Sequence, residues 1–196
     1  MSVLLIAGSP SNPSRSAALL DAVEQRLNLR GVAVERLHIR DLSPQALILA
    51  DFGQPSIAGA TAQVARARAI VVATPVYKAA YSGVLKVFLD LLPQTALKEK
   101  HVLPLATGGS PNHMLALDYA LRPVLQSLGA AHILPGIYAT DSQVVVLSEG
   151  GYQIHADIAE RLDVSVKTLI AEALKEIPSV AGRFAPVHFS QVRCSV

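Results

Sequence analysis

Two short runs of the sequence are apolar at every position, and each is followed by a small, polar loop and then by a helical pattern. Residues 3–7 form the first run and residues 69–73 the second. Strands without a polar face are typical of a parallel sheet that is covered by helices on both sides. The chain is therefore expected to fold as an α/β protein in which strands and helices alternate.

The rest of the chain continues this alternation. The predicted strands are residues 3–7, 32–39, 69–73, 102–106 and a broken strand at 131–139, with a further extended piece at 143–147. The predicted helices are residues 17–27, 58–67, 84–92, 113–128 and 154–177, with a short helix between 41 and 52. Five parallel strands with right-handed crossovers predict a flavodoxin-like three-layer sandwich with strand order 2-1-3-4-5, whose second strand lies at an edge.

Composition limits the domain count and the class of partner. A chain of 196 residues is long enough for one domain, which we place at residues 1–178 with a C-terminal tail at 179–196. Charged residues make up only 16% and the net charge is +2 with no basic cluster, so a buried oligomer interface is expected and nucleic acid is not. The single cysteine, Cys194, and the absence of a long apolar run predict a soluble cytoplasmic protein that does not enter a membrane.

The loop that joins the first strand to the first helix has the composition of an anion site. Residues 8–16 contain no acidic side chain. Its hydroxyls, one guanidinium and the amides of the incoming helix are suited to a phosphate. The candidate residues are Ser9, Ser14, Arg15 and Ser16. An equally good reading at this point is that Ser14 only caps the helix.

Two more loops follow the third and fourth strands, so the predicted strand order brings all three loops to one crevice. Residues 74–83 offer a proline, backbone amides and a tyrosine to a flat heterocycle, and residues 107–110 offer glycine backbone to a ring edge. The candidates are Pro75, Val76, Tyr77 and Lys78 at one end of the heterocycle, and Thr107, Gly108 and Gly109 at its other edge. A phosphate site beside a site for a flat ring points to FMN as the ligand.

Two prolines interrupt predicted elements. Pro104 cannot donate to a sheet ladder, so the strand at 102–106 is expected at an edge or a bulge. Pro123 lies inside the predicted helix 113–128 and presses on the carbonyl of Tyr119. A kink or a π-bulge near Tyr119 is therefore predicted.

The three loops, together with residues 118–121, resemble the NAD(P)H-dependent FMN reductases, and among them most of all the reductases of two-component alkanesulfonate monooxygenase systems. The resemblance covers roughly the first 175 residues. It implies that the protein transfers hydride from NADPH or NADH to FMN and supplies reduced FMN to a partner monooxygenase for sulfur scavenging. It also implies a homo-oligomer, a dimer or homotetramer, with Tyr119 at the interface near the flavin.

Two other functions stay open at this point. A quinone, azo or chromate reductase would keep its FMN and pass electrons to a second substrate. A flavodoxin-type electron carrier would oxidise no nicotinamide, but such carriers are strongly acidic and this chain is not. The six histidines lack the spacing of metal ligands, and Ser9 lacks the surroundings of a nucleophile, so neither a metal nor a catalytic side chain is predicted.

Overall fold

The computed structural model describes residues 2–148 and 151–174. The strands are β1 (Ser2–Ala7), β2 (Ala33–His38), β3 (Ala69–Tyr77), β4 (Ala80–Tyr81), β5 (His101–Gly108), β6 (His132–Ile133), β7 (Ile137–Thr140), β8 (Val144–Val146) and β9 (Tyr152–Ile154). The helices are α1 (Arg15–Asn28), α2 (Pro44–Leu49), α3 (Pro55–Arg66), α4 (Gly83–Asp90), α5 (Arg122–Ser127) and α6 (Ala156–Ala173). Ile39–Asp41 and Pro111–Leu115 form 3₁₀ turns, and Ala116–Leu121 forms a π-helix.

The central sheet is parallel and has five positions, in the order β2, β1, β3, β5 and then β6 with β7. This confirms the predicted α/β class and the order 2-1-3-4-5, with β2 at an edge. Alternate residues of β1 enter two separate hydrophobic clusters, Leu4 and Ile6 on one face and Val3 and Leu5 on the other. The apolar runs are therefore buried on both faces, as a three-layer sandwich requires.

Pro104 lies in the interior of the sheet, and its prediction as an edge residue is wrong. β5 pairs with β3 on one side and with β6 and β7 on the other. The carbonyl of Val102 accepts from the Leu134 amide at 2.9 Å, and residues two apart in a strand point the same way. Pro104 therefore faces the gap between β6 and β7, next to Gly136, where a missing N–H breaks no ladder bond.

The third strand is longer than predicted. The sequence reading ended it at residue 73 and treated 74–83 as a loop, but β3 runs to Tyr77 and pairs with β4 in an antiparallel hairpin. Lys78 and Ala79 form the turn, with φ of 49° and 63°. The strand continues because Thr74 and the residue after it still lie beside β5, where residues 106 and 107 are their partners.

The segment before α5 contains the predicted π-bulge. A continuous helix over 113–128 is not formed; a 3₁₀ turn, the π-helix and α5 follow one another instead. Pro123 sits at the start of α5, where its missing N–H costs little. Tyr119 projects from the π-helix and is 79% exposed. The bulge near Tyr119 is confirmed.

The C-terminal part adds a hairpin that the sequence reading did not contain. β8 and β9 pair in an antiparallel fashion, so Ile154 lies in a strand and α6 starts two residues later than Ile154, at Ala156. The predicted helix end at 177, the boundary at 178 and the tail at 179–196 lie outside the described residues. In the described part of the chain, no helix has the length and apolarity needed to cross a membrane.

Candidate functional site

A pocket of about 410 Å³ opens at the carboxyl ends of the central strands. The loops after β1 and β5 and the end of β3 form its walls, together with the turn after β7 and the β8–β9 hairpin. Its lining residues are Ser9, Ser11, Pro13, Ser14, Arg15, Ser16, Pro75, Val76, Tyr77, Thr107, Gly108, Gly109, Asp141, Val146 and Tyr152. The three loops singled out in the sequence thus meet in one cavity.

The serines of the first loop surround the N-terminus of α1. Ser14 is the N-cap, and its Oγ accepts from the Ala17 amide at 3.1 Å. The same Oγ lies 3.1 Å from Ser16 Oγ, while Ser9 Oγ accepts from the Ser11 amide at 3.1 Å. The capping role of Ser14 is therefore real, and it coexists with a position in the pocket wall. These hydroxyls stand at the positive end of the α1 dipole, where an anion is favoured.

Arg15 brings the positive charge of the pocket. Its Nε donates to the carbonyl of Val144 at 3.0 Å and lies 3.7 Å from Oδ1 of Asp141. Both side chains are partly exposed, at 37% for Arg15 and 49% for Asp141. The guanidinium is thus held by Nε from the β8 side, and Arg15 lines the cavity.

A buried network joins the first loop to the β3–β4 hairpin. Thr74 Oγ1 accepts from the Ser82 amide at 2.9 Å, and Ser82 Oγ donates to the carbonyl of Gly8 and accepts from the Leu85 amide. Thr74 and Ser82 are almost completely buried. Gly8 also donates its own N–H to the carbonyl of Ala73 at 2.8 Å. The first loop and the β3–β4 hairpin are therefore fastened to each other.

Glycine backbone forms the wall opposite this hairpin. A Cβ on Gly108 would lie 2.5 Å from the hydroxyl of Tyr138 and 3.3 Å from Cβ of Val76, so no larger residue fits without movement. Tyr138 donates to the carbonyl of Ser110 at 2.6 Å. Burial, reinforced by the Asp141 carboxylate, raises the pKa of the Tyr138 hydroxyl, so it remains a donor. This bond fixes the loop after β5.

Of the sequence candidates for flavin contact, all except Lys78 line the pocket. Lys78 lies in the β3–β4 turn with a positive φ and is exposed. The sequence reading missed Asp141, Val146 and Tyr152, which come from the turn after β7 and from the β8–β9 hairpin. Asp141 follows directly on a parallel strand, so the rule that located the other loops would also have located it.

The residues of the pocket fit FMN by the chemistry of their donors. The four serine hydroxyls of the first loop and the Arg15 guanidinium at a helix N-terminus suit a phosphate, and the Pro75–Val76 edge beside glycine backbone suits a flat ring. A Cβ on Gly109 would meet nothing closer than 3.8 Å, so this side of the cavity is open. The pocket can hold a phosphate and a planar ring at once, and it offers no side chain that must react.

A second surface surrounds Tyr119. The π-helix and the β3–β4 turn enclose a hollow of about 450 Å³, lined by Ala79, Asn112, His113, Leu115, Ala116, Tyr119 and Ala120. Met114 and Leu115 are more than half exposed beside it. Because β4 pairs with the end of β3 that lines the first pocket and also packs on the π-helix, this apolar surface lies next to the β3–β4 hairpin.

Comparison with known proteins agrees with this geometry. Residues 1–144 match the family model described as NADPH-dependent FMN reductase. The chain is 47% identical over 168 residues to an FMN reductase (NADPH) of Escherichia coli strain K12, covering 86% of this chain and 87% of the relative. It is also 47% identical over 185 residues to an FMN reductase (NADPH) of Pseudomonas putida, covering 93% of each.

Solved structures extend the comparison to the fold. The apo form of an NADH:FMN oxidoreductase, EMOB, superposes with a TM-score of 0.81 at 38% identity, covering 95% of this chain and 96% of that one. A flavodoxin of Streptococcus pneumoniae superposes with a TM-score of 0.59 at 13% identity, covering 87% of this chain and 97% of that one, and shows the flavodoxin-like fold alone. The chain belongs to the NADPH-dependent FMN reductase family.

Proposed function

We propose that this member of the FMN reductase family reduces FMN with NADPH or NADH and releases the reduced FMN to a separate alkanesulfonate monooxygenase. The observation that carries the proposal is the meeting of a phosphate-type loop and a backbone-lined ring site in one open pocket. The relatives are named FMN reductases, which supports the nicotinamide-dependent step. The single cysteine fits a reducing cytoplasm as the place of this reaction.

The residues act by binding and orientation. We assign the phosphate to Ser9, Ser14, Arg15 and Ser16. The pyrimidine end of the ring is assigned to Pro75, Val76 and Tyr77, and its other edge to Thr107, Gly108 and Gly109. Lys78 does not line the pocket, and it stays a candidate for contact with the ring only because its side chain is long enough to extend there from the hairpin turn. When bound, FMN supplies the chemistry by accepting a hydride at N5 from C4 of the stacked nicotinamide.

We also propose that the Tyr119 surface binds a second copy of the chain, in a dimer or tetramer. Tyr119, Met114 and Leu115 are large side chains with more than half of their surface exposed, and they lie together on one segment. A chain with only 16% charged residues has few polar side chains to spare for its surface. Contact between copies would cover this apolar surface and abut the ring end of the pocket.

The competing function is a reductase that retains FMN and reduces a quinone, azo compound or chromate in the same pocket. The openness of the Gly109 side and the partial exposure of Arg15 favour exchange of the flavin over retention. The two functions use the same pocket and differ in whether FMN leaves the protein after each reduction, so only kinetic measurements separate them.

Stopped-flow oxidation of NADPH and NADH by apoprotein, with and without added FMN, tests the first step. Oxidation is expected only when FMN is added, with turnover of many equivalents of FMN per protein. The second step is tested by adding a purified alkanesulfonate monooxygenase and measuring oxygenation of its substrate. Oxidation that proceeds without free FMN, with flavin that survives gel filtration, would favour the retaining reductase and contradict release.

A further inference from the structure

Asp141 is the acidic residue among the described residues that line the pocket, and Arg15 is the basic one. The two meet at 3.7 Å between Arg15 Nε and Asp141 Oδ1, a longer and less direct contact than a bidentate pair. A carboxylate beside this loop weakens the binding of a phosphate, because it repels the anion that the loop is suited to bind.

Hydrogen bonds fix the turn that carries Asp141. The Asp141 amide donates to the carbonyl of Gly108 at 3.2 Å, which continues the β5–β7 pairing by one residue. Gln143 closes the turn that follows. Its side-chain Oε1 accepts from the Thr140 backbone amide at 2.9 Å, and its own backbone amide donates to the Thr140 carbonyl at 2.9 Å. Gln143 is itself held by Asp157 at 2.9 Å. The backbone of Asp141 is therefore held at the pocket wall, and its carboxylate lies 3.7 Å from Arg15 Nε.

The Arg15 guanidinium already interacts with two groups of the pocket wall. Its Nε is already bonded to the Val144 carbonyl, and the Asp141 carboxylate adds an attraction on the same side. A phosphate at the N-terminus of α1 would draw the guanidinium toward the serines of the first loop, and the attraction to Asp141 opposes that movement. The carboxylate and the phosphate thus compete for one cation and repel each other.

We propose that Asp141 lowers the affinity of the pocket for the phosphate of FMN and so keeps FMN exchangeable. Asp141 acts through Arg15 and through its own charge, and is a residue that sets affinity; it takes no part in hydride transfer. The proposal rests on the FMN-binding role assigned above to this pocket. It explains how a pocket with several serine hydroxyls and a guanidinium releases its ligand after reduction.

The size of the effect follows from the charges. A carboxylate in the same pocket as a phosphate of charge about −1.5 to −2, within a Debye length of it and in a largely aqueous dielectric, weakens binding by about five- to tenfold. Because the Asp141 side chain and the pocket are exposed to solvent, about 0.5 M added salt should reduce this weakening of FMN binding to about twofold. Riboflavin has no phosphate, so its affinity should not change.

The test is a titration of apoprotein with FMN and with riboflavin, followed by the quenching of flavin fluorescence, for the wild type and Asp141→Asn. The substitution keeps the shape of the side chain and leaves the backbone bond to Gly108 in place. Asp141→Ser serves as a second variant in case the amide disturbs folding. Asp90→Asn removes a carboxylate that pairs with Lys86 on α4 and does not line the pocket, and it is the matched control.

We expect Asp141→Asn to bind FMN about five- to tenfold more tightly at low salt, with a correspondingly slower dissociation, while riboflavin and the Asp90→Asn control stay unchanged. FMN affinity that is unchanged or weaker would overturn the proposal, as would an equal gain for riboflavin. The assay measures binding without turnover. Failure of the wild type to bind FMN would refute the pocket assignment, whereas normal binding without a shift in Asp141→Asn would refute only the role of Asp141.

Discussion

Replacing Gly108 with alanine should destabilise the protein, because the new methyl group has no space. Its Cβ would lie 2.5 Å from the Tyr138 hydroxyl and 3.3 Å from Cβ of Val76. Tyr138 is 8% exposed and cannot move without weakening its 2.6 Å bond to the Ser110 carbonyl. Overpacking costs about 1–3 kcal/mol and a lost hydrogen bond about 0.5–1.5 kcal/mol, so the expected loss is about 2–4 kcal/mol in the free energy of unfolding.

A second substitution identifies the cause of that loss. Tyr138→Phe alone should cost about 1 kcal/mol, since it removes one hydrogen bond to a partly exposed carbonyl. In the double variant, the phenylalanine leaves the methyl group of Ala at 108 with contacts of 3.3 Å or more, which are tolerable. The double variant should therefore lose about 1–2 kcal/mol less than the sum of the two single losses.

Urea denaturation followed by circular dichroism measures these free energies at equilibrium. Gly109→Ala is the matched control, because its Cβ would meet nothing within 3.8 Å and its backbone is not in the left-handed region. The control should be neutral or slightly stabilising, by about 0.4–1 kcal/mol at most. Strictly additive losses in the double variant, or an equal loss in Gly109→Ala, would refute the steric argument.

Three further predictions concern binding, assembly and pH. Arg15→Ala should weaken FMN by about tenfold or more, the value of a charge-assisted bond, and riboflavin much less; equal losses in titrations with the two flavins would remove Arg15 from the phosphate site. Tyr119→Ala should shift the oligomer toward smaller species in sedimentation velocity, and an unchanged distribution would contradict its interface role. Burial lowers the pKa of His101, and so does the neighbouring His132 ring, which is stacked on it at 4.6 Å. The contribution of His101 to the free energy of unfolding is therefore complete above the unfolded pKa of about 6.5 and is lost as the pH falls below that value. In urea denaturation at a series of pH values, His101→Gln should lose less stability on acidification than the wild type. An unchanged dependence on pH would show that other groups cause it.

The arrangement of the three loops could be predicted from the sequence because it depends on few quantities. Apolar runs such as residues 3–7 and 69–73 identify buried parallel strands, and the handedness of their connections fixes which ends are neighbours. The π-bulge near Tyr119 was equally accessible, since Pro123 removes a donor at a known place in the helix.

What the sequence could not show depends on neighbours in space. Pro104 is tolerated in the centre of the sheet only because the adjacent strand breaks opposite it, and that break is a property of another segment. β3 passes through Pro75 because β4 and β5 supply partners on either side of its end. The extended piece predicted at 143–147 contains β8, but β9 with Tyr152 and the pairing of the two strands were missed, because a three-residue strand carries too little periodicity to be recognised alone.

The buried bonds among Thr74, Ser82 and Gly8 also bear on selectivity among ligands. They tie the end that suits a phosphate to the end that suits a ring, so the spacing between the two is set by the fold before any ligand arrives. Such preorganisation spares the conformational entropy of ordering two loops on binding, and it rewards only molecules whose charge and plane are separated by the matching length. Under the proposed function, the hydroxyls of Thr74 and Ser82 therefore set the distance that the ribityl chain of FMN has to span.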